Sequence, residues 1–191
     1  TRDIIKVVSV RNRWLEPGYA YVRVAQFQNN TAVEFTKALS KLKKDQDNEL
    51  KGLIIDLRNN PGGLLPASVE IADALIEEGV IVSTEGRTPS SNQKFMATPG
   101  DELAGLPIVV LINSGSASAS EIVAGALQDH RRAVVIGTES FGKGSVQKVL
   151  PLDDGRAIKL TTARYFTPSG RSIQAMGIKP DIEVEQVEIR T

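Results

Sequence analysis

Apolar positions along this chain recur at two spacings, every second residue or every third and fourth, and the changes of spacing mark out its elements. The shorter spacing predicts strands at residues 4–10 and 19–27, the second setting Val22 and Val24 against Tyr21 and Arg23. Helical spacing follows: Phe35, Ala38, Leu39 and Leu42 form one face, Thr31-Ala32-Val33-Glu34 reads as a capping box, and residues 43–49 are a polar exit. Leu53-Ile54-Ile55-Asp56-Leu57 has the composition of a buried strand and runs into the turn-rich Arg58-Asn59-Asn60-Pro61-Gly62-Gly63. A helix is predicted over 65–77 and a strand over 80–83. Residues 85–102 are polar and carry Pro89, Pro99 and Gly100, a surface excursion with room for one short strand at Lys94-Phe95-Met96.

The second half opens on a strand at 107–112. Ile122, Val123, Ala126 and Leu127 then give a helix that starts after Ser118 and ends near Asp129-His130, and a strand follows at 133–137. Residues 146–151 are strand-like, Asp153-Asp154-Gly155 signals a hairpin, 157–166 is a strand and 167–170 a turn. Strand, helix, strand in this order implies parallel pairing through a right-handed crossover, with functional loops at the strand ends. The expected fold is therefore α/β, a mixed and mainly parallel sheet with crossover helices. Three loops follow strands, at Gly62-Gly63, before Ser118 and around Lys143, and this topology can gather them into one crevice.

Composition narrows the function. The 191 residues suit one core, and 23 basic against 23 acidic residues, with no basic run, give nucleic-acid binding no electrostatic support. No apolar run approaches membrane-spanning length and no signal peptide is evident. Zero cysteines exclude disulfides and thiolate metal sites; one histidine and scattered carboxylates show no ligand spacing, so no metal or cofactor is expected.

That single histidine also changes how the serines read. His130 lies at the far end of the helix that starts at Ser118, roughly 18 Å away at 1.5 Å per residue, so a Ser118-His130 pair is excluded as a nucleophile and base. A Ser-Lys pair is the attested variant of the same logic, with Ser118 at the helix start and Lys143 between Gly142 and Gly144. The first N–H groups of a helix lack intrahelical partners and favour negative charge, as the oxygen of an attacked carbonyl requires. The turn at Gly62-Gly63 can present N–H groups to the same oxygen, and is equally a plain tight turn. Ser118-Ala119-Ser120-Glu121 is also a capping box, and Lys143 also reads as an ordinary loop lysine. To act as a base the lysine must meet the serine uncharged, which asks for desolvation. Residues 137–143 copy seven positions of the phosphate-binding loop, but Gly144 replaces its hydroxyl residue and a strand-like run replaces its helix.

Four segments together carry a resemblance: Gly52 through Gly63, Gly115 through Leu127, Phe141-Gly142-Lys143-Gly144-Ser145-Val146-Gln147, and Tyr165 through Gln174, with Gly177 through Val184 near the end. In this order they resemble the protease core of the carboxyl-terminal processing, or tail-specific, proteases. The resemblance implies a fold similar to the ClpP and crotonase spiral. It implies a serine endopeptidase acting on disordered or C-terminal tails, with Ser118 as nucleophile, Lys143 as base and Gln147 orienting the lysine. Its oxyanion donors would be the N–H of Ala119 and one from Gly62-Gly63. For Gln147 to meet Lys143, the strand must curl near Gly144. The expected domain is the core alone, Thr1–Thr191, with no counterpart of the family's PDZ domain. Protein or peptide substrates, an activating or adaptor protein, self-association and a periplasmic or otherwise exported location go with the family. Beside it stand a non-catalytic binding or assembly domain, whose Ser118 only caps a helix, and a hydrolase of small esters.

Overall fold

A computed structural model describes residues 8–45, 49–153 and 155–185. Its strands are β1 (Val10–Glu16), β2 (Tyr19–Val24), β3 (Gly52–Asp56), β4 (Val80–Gly86), β5 (Gln93–Met96), β6 (Ile108–Ile112), β7 (Val134–Gly137), β8 (Ser145–Pro151), β9 (Ala157–Phe166) and β10 (Ile182–Glu183). The helices are α1 (Thr31–Lys43), α2 (Leu65–Asp73) and α3 (Ala119–Asp129). The first sheet has the order β1-β2-β3-β6-β7-β10 and is parallel except for β1 with β2. A second sheet, β5-β4-β9-β8, is antiparallel throughout.

The mixed, mainly parallel sheet agrees with the sequence reading, and the separation of β4, β5, β8 and β9 into a sheet of their own does not appear in it. Val22, Val24, Leu53, Ile55, Ile108, Val110, Ile112 and Val135 meet Phe35, Leu39, Ile71, Ile122 and Leu127 from the helices in one core. α3 lies deepest: every residue from Ala119 through Leu127 is buried, including Glu121. A helix closed in all round holds its first turn rigidly against the strand ends, which is a sound base for a site.

Several local readings shift. Of the strand expected at 4–10, residues 4–7 lie outside the described residues, and the strand begins at Val10. The box at Thr31 does not form. Asn30 is the N-cap in helical geometry; Thr31 Oγ1 instead accepts the Gln28 N–H at 2.8 Å, and Glu34 Oε2 accepts Ser9 Oγ–H at 2.8 Å. α2 stops at Asp73 because Ala74 caps it with N–H bonds back to Ala72 and Glu70, four residues before the expected end at 77.

Candidate active site

Three loops at the strand ends are sewn together by asparagine and serine side chains. Asn60 is fully buried after β3; its amide N–H donates to Val24 O at 2.8 Å and its Oδ1 accepts Gly62 N–H at 2.9 Å. Its carbonyl accepts Ala117 N–H at 3.0 Å and Ser120 Oγ–H at 2.9 Å, fixing the glycine turn beside the start of α3. Asn113, at the end of β6, accepts the Asn59 N–H at 2.8 Å, and Ser116 Oγ–H donates to Leu57 O at 2.8 Å. These contacts separate the three serines. Ser116 and Ser120 are buried and spent on backbone carbonyls, whereas Ser118 between them is half-exposed.

Ser118 is the N-cap of α3, yet its backbone sits at φ 55°, ψ −111°. An ordinary N-cap residue takes extended angles, so capping does not account for this conformation, which costs a non-glycine residue on the order of 1–3 kcal/mol. Strain of this kind persists only where the surroundings enforce it, and here it turns the serine out of the helix axis. A Cβ added to Gly62 would stand 2.6 Å from Ala117 O, 2.8 Å from Ser118 Cβ and 3.0 Å from Ala119 N. The space left by Gly62 is therefore the space in front of the serine and the first helical N–H. Ala119 N–H has no hydrogen-bond partner among the described residues, and neither has Gly63 N–H. Gly62 N–H is taken by Asn60, so of the two glycines Gly62 supplies room and Gly63 is left with a donor.

Lys143 reaches this place through Glu121. The carboxylate Oε2 accepts both Ser118 N–H at 2.7 Å and Lys143 N–H at 2.9 Å, so the two backbones come within about 6 Å of each other. Oε1 accepts Gly142 N–H and Ser140 Oγ–H, both at 2.6 Å, and Ser140 Oγ accepts Ile178 N–H at 2.7 Å. Phe141 N–H donates to Ser116 O, and Ala175 N–H to Gly142 O. Gly144 is a packing requirement: a Cβ there would lie 2.2 Å from Gln174 N. The Lys143 side chain is half-buried and makes no hydrogen bond or ion pair among the described residues.

Gln147 lies exposed on β8, on the face of Ser145 by strand alternation, with no hydrogen bond to Lys143 among the described residues. The curl expected near Gly144 is not where the ladder departs from regularity: its register shift lies between the pairs Val146–Ala163 and Gln147–Thr161, where Thr162 of β9 is skipped. His130 caps the other end of α3 with its ring nitrogen 2.7 Å from Val80 O, away from the serine. Among the described residues no helix follows Lys143, and a strand stands where the phosphate loop has its helix. Among the described residues no acidic and histidine cluster suits a metal ion.

A second buried carboxylate supports the glycine turn. Asp56 ends β3 fully buried, gripped by Arg58 through Nε at 2.9 Å and Nη2 at 2.8 Å, and hydrogen-bonded by the Tyr21 hydroxyl. Burial pushes the Asp56 carboxyl up, but the Arg58 and Tyr21 bonds outweigh it and hold the group below the usual carboxylate range. A carboxyl depressed by folding contributes stability above its unfolded pKa of about 3.9 and loses it as pH falls through the folded value. Asp101 and Asp129 are depressed as well: burial pushes both up, but Arg132 and the Leu103 and Gly105 N–H groups outweigh it at Asp101, and hydrogen bonds from Thr167 and Ser169, with Arg171 nearby, outweigh it at Asp129. Thermal melts are therefore expected to show a midpoint that falls steadily below about pH 4, with Asp56→Asn destabilised at neutral pH and flatter on the acid side. An acid limb identical in wild type and variant would remove Asp56 from this account.

Residues 18–184 match peptidase family S41. A carboxy-terminal-processing protease of Bartonella bacilliformis is 54% identical over 186 residues, covering 97% of this chain and 43% of that protein. One from Synechocystis is 45% identical over 166 residues, 87% of this chain and 38% of the relative. Among solved structures, the photosystem II D1 C-terminal processing protease superposes with a TM-score of 0.83 at 36% identity, over 97% of this chain and 50% of that one. The chain spans half or less of each of these proteins.

Proposed function

The chain belongs to peptidase family S41, and from that membership we propose that it is a serine endopeptidase with Ser118 as nucleophile and Lys143 as base, cleaving unstructured tails of proteins. The observation that carries the reading is the single oxygen of Glu121 that holds the backbones of both residues. Uncharged Lys143 takes the Ser118 hydroxyl proton as Oγ attacks the peptide carbonyl. The carbonyl oxygen becomes negative against the free N–H groups of Ala119 and Gly63, the ammonium returns its proton to the departing amine, and an ester on Ser118 remains. Lys143 then takes a proton from water, the hydroxide attacks the ester, and the carboxylic acid product leaves as the lysine's proton passes to Ser118 Oγ, the acid then losing its own proton to solvent. Gln147, on β8 four residues after the lysine, steadies the ammonium in this scheme.

Tail substrates, an exported location, an adaptor protein and self-association belong to the same proposal. No helix among the described residues is long and apolar enough to cross a membrane. The test is intact-mass spectrometry after exposure to a β-lactone that acylates active serines. One adduct is expected, mapping to Ser118 and lost in Lys143→Ala. An adduct on Ser116 or Ser120, or one that persists without Lys143, refutes the assignment, and a folded chain that takes no adduct points to a binding domain.

A further inference from the structure

A cleft of about 690 Å³ opens where β4 and β9 part company. β4 ends at Gly86, opposite Ala163, while β9 extends from Ala157 with only β8 beside it, so its other edge is open, and Thr161 and Thr162 of that edge line the cleft. Gly86 lets the strands cross closely, since a Cβ there would lie 2.4 Å from Thr162 O. Arg87 and Arg164 line the cleft with Thr88, Ser91 and Thr162, and one carboxylate, Glu85, shares it. Both arginines are exposed, and neither side chain makes an ion pair or a hydrogen bond among the described residues.

Register connects this cleft to the proposed catalytic centre. Ser145 pairs with Arg164, and Arg164 with Glu85, so these three side chains form one row across a single face of the sheet. Gly144 extends the ladder beyond Ser145 by accepting Tyr165 N–H at 2.8 Å, and Lys143 is the next residue, two before the Ser145 end of that row. Neighbouring strands lie about 4.8 Å apart, placing the cleft roughly 10–15 Å from Lys143, or three to five extended residues.

Resting on the proposed peptidase function, we infer that the cleft between β4 and β9 holds a carboxylate of the extended peptide, a few residues from the bond cleaved. Guanidinium forks suit a planar carboxylate, the hydroxyls supply further donors, and an open strand edge offers the backbone hydrogen bonds that an extended peptide needs. The carboxylate is an acidic side chain or the peptide's own C-terminus.

Fluorescence anisotropy tests this with the chain carrying Ser118→Ala, so that no turnover is needed. The probe is a fluorescein-labelled dodecapeptide of Ala, Ser and Val, made with a free or amidated C-terminus and with one internal Asp or Asn. Removing the carboxylate that the cleft reads is expected to weaken binding by roughly tenfold, and Arg87→Gln with Arg164→Gln to abolish that preference. Lys94→Gln, a charge change on the neighbouring β5, leaves it intact. The arm that matters, amide or Asn, identifies the source of the carboxylate. Equal binding of all four peptides, an undiminished preference in the double variant, or an equal loss in Lys94→Gln overturns the proposal. Because binding is read without chemistry, a failed Ser118 acylation beside an intact carboxylate preference would sink the catalytic reading alone.

Discussion

Ser118→Ala is expected to lower the rate of cleavage of an unstructured polypeptide by on the order of 10⁴-fold or more, Lys143→Ala to do nearly the same, and the double variant to be no slower than the worse single one. Nucleophile and base act as a unit, so removing either removes the covalent route and the second removal has little left to take. Cleavage followed by mass spectrometry at equal protein concentration gives the three rates, and circular dichroism shows whether the variants are folded. The capping box at Ser118 and Glu121 forms, and the backbone of Ser118 adds a stability test that separates a mere cap from a strained nucleophile. At φ 55°, ψ −111° a glycine relieves the strain, so Ser118→Gly is expected to melt higher than wild type while remaining inactive. An ordinary cap would instead lose a few tenths of a kcal/mol on that change. Additive rate losses in the double variant, or a Ser118→Gly variant less stable than wild type, would detach the serine from the proposed chemistry.

Much of the scaffold was legible because burial and period coincide. β3, β6 and β7 are short apolar runs that end in turn residues, and α3 keeps its helical spacing from Ile122 onward. The division into two sheets was not, since β8 and β9 are largely exposed and a strand's period says nothing of which sheet it joins. Thr31 and Glu34 show the limit of a local motif: a distant partner, Ser9, claimed the glutamate. The site repeats that lesson with a different outcome. Ser118-Ala119-Ser120-Glu121 was visible as a box closing on itself, and its glutamate does reach the Ser118 N–H, but three further donors come from residues 140–143, about twenty positions away. Nothing in four consecutive residues encodes that reach. Asn60 and Asn113 were likewise hidden, as turn-forming residues in turn-rich sequence.

Glu121→Ala is therefore the substitution outside the proposed dyad with the largest expected effect. It leaves Ser118, Gly142 and Lys143 N–H and the Ser140 hydroxyl without their acceptor in a buried setting, which costs on the order of 3–5 kcal/mol of stability. It also unfastens the lysine loop from the helix that presents the serine. Displacements of about 1 Å at such a pair cost roughly 10²-fold, so kcat should fall by at least that much while KM changes little. Glu121→Gln separates charge from shape. Its one amide oxygen can replace Oε2 and keep Ser118 and Lys143 together, while its amide N–H groups turn toward Ser140 Oγ, whose oxygen can accept, so that the Gly142 N–H and the Ser140 hydroxyl proton lose the acceptor that Oε1 gave them. The glutamine variant should thus lose about 1–3 kcal/mol and roughly tenfold in kcat, clearly less than alanine on both scales. Urea melts and steady-state kinetics on the two variants give the comparison. An alanine variant with wild-type kcat would mean that the two loops hold their places without the shared carboxylate, and the alignment of Ser118 with Lys143 would need another cause.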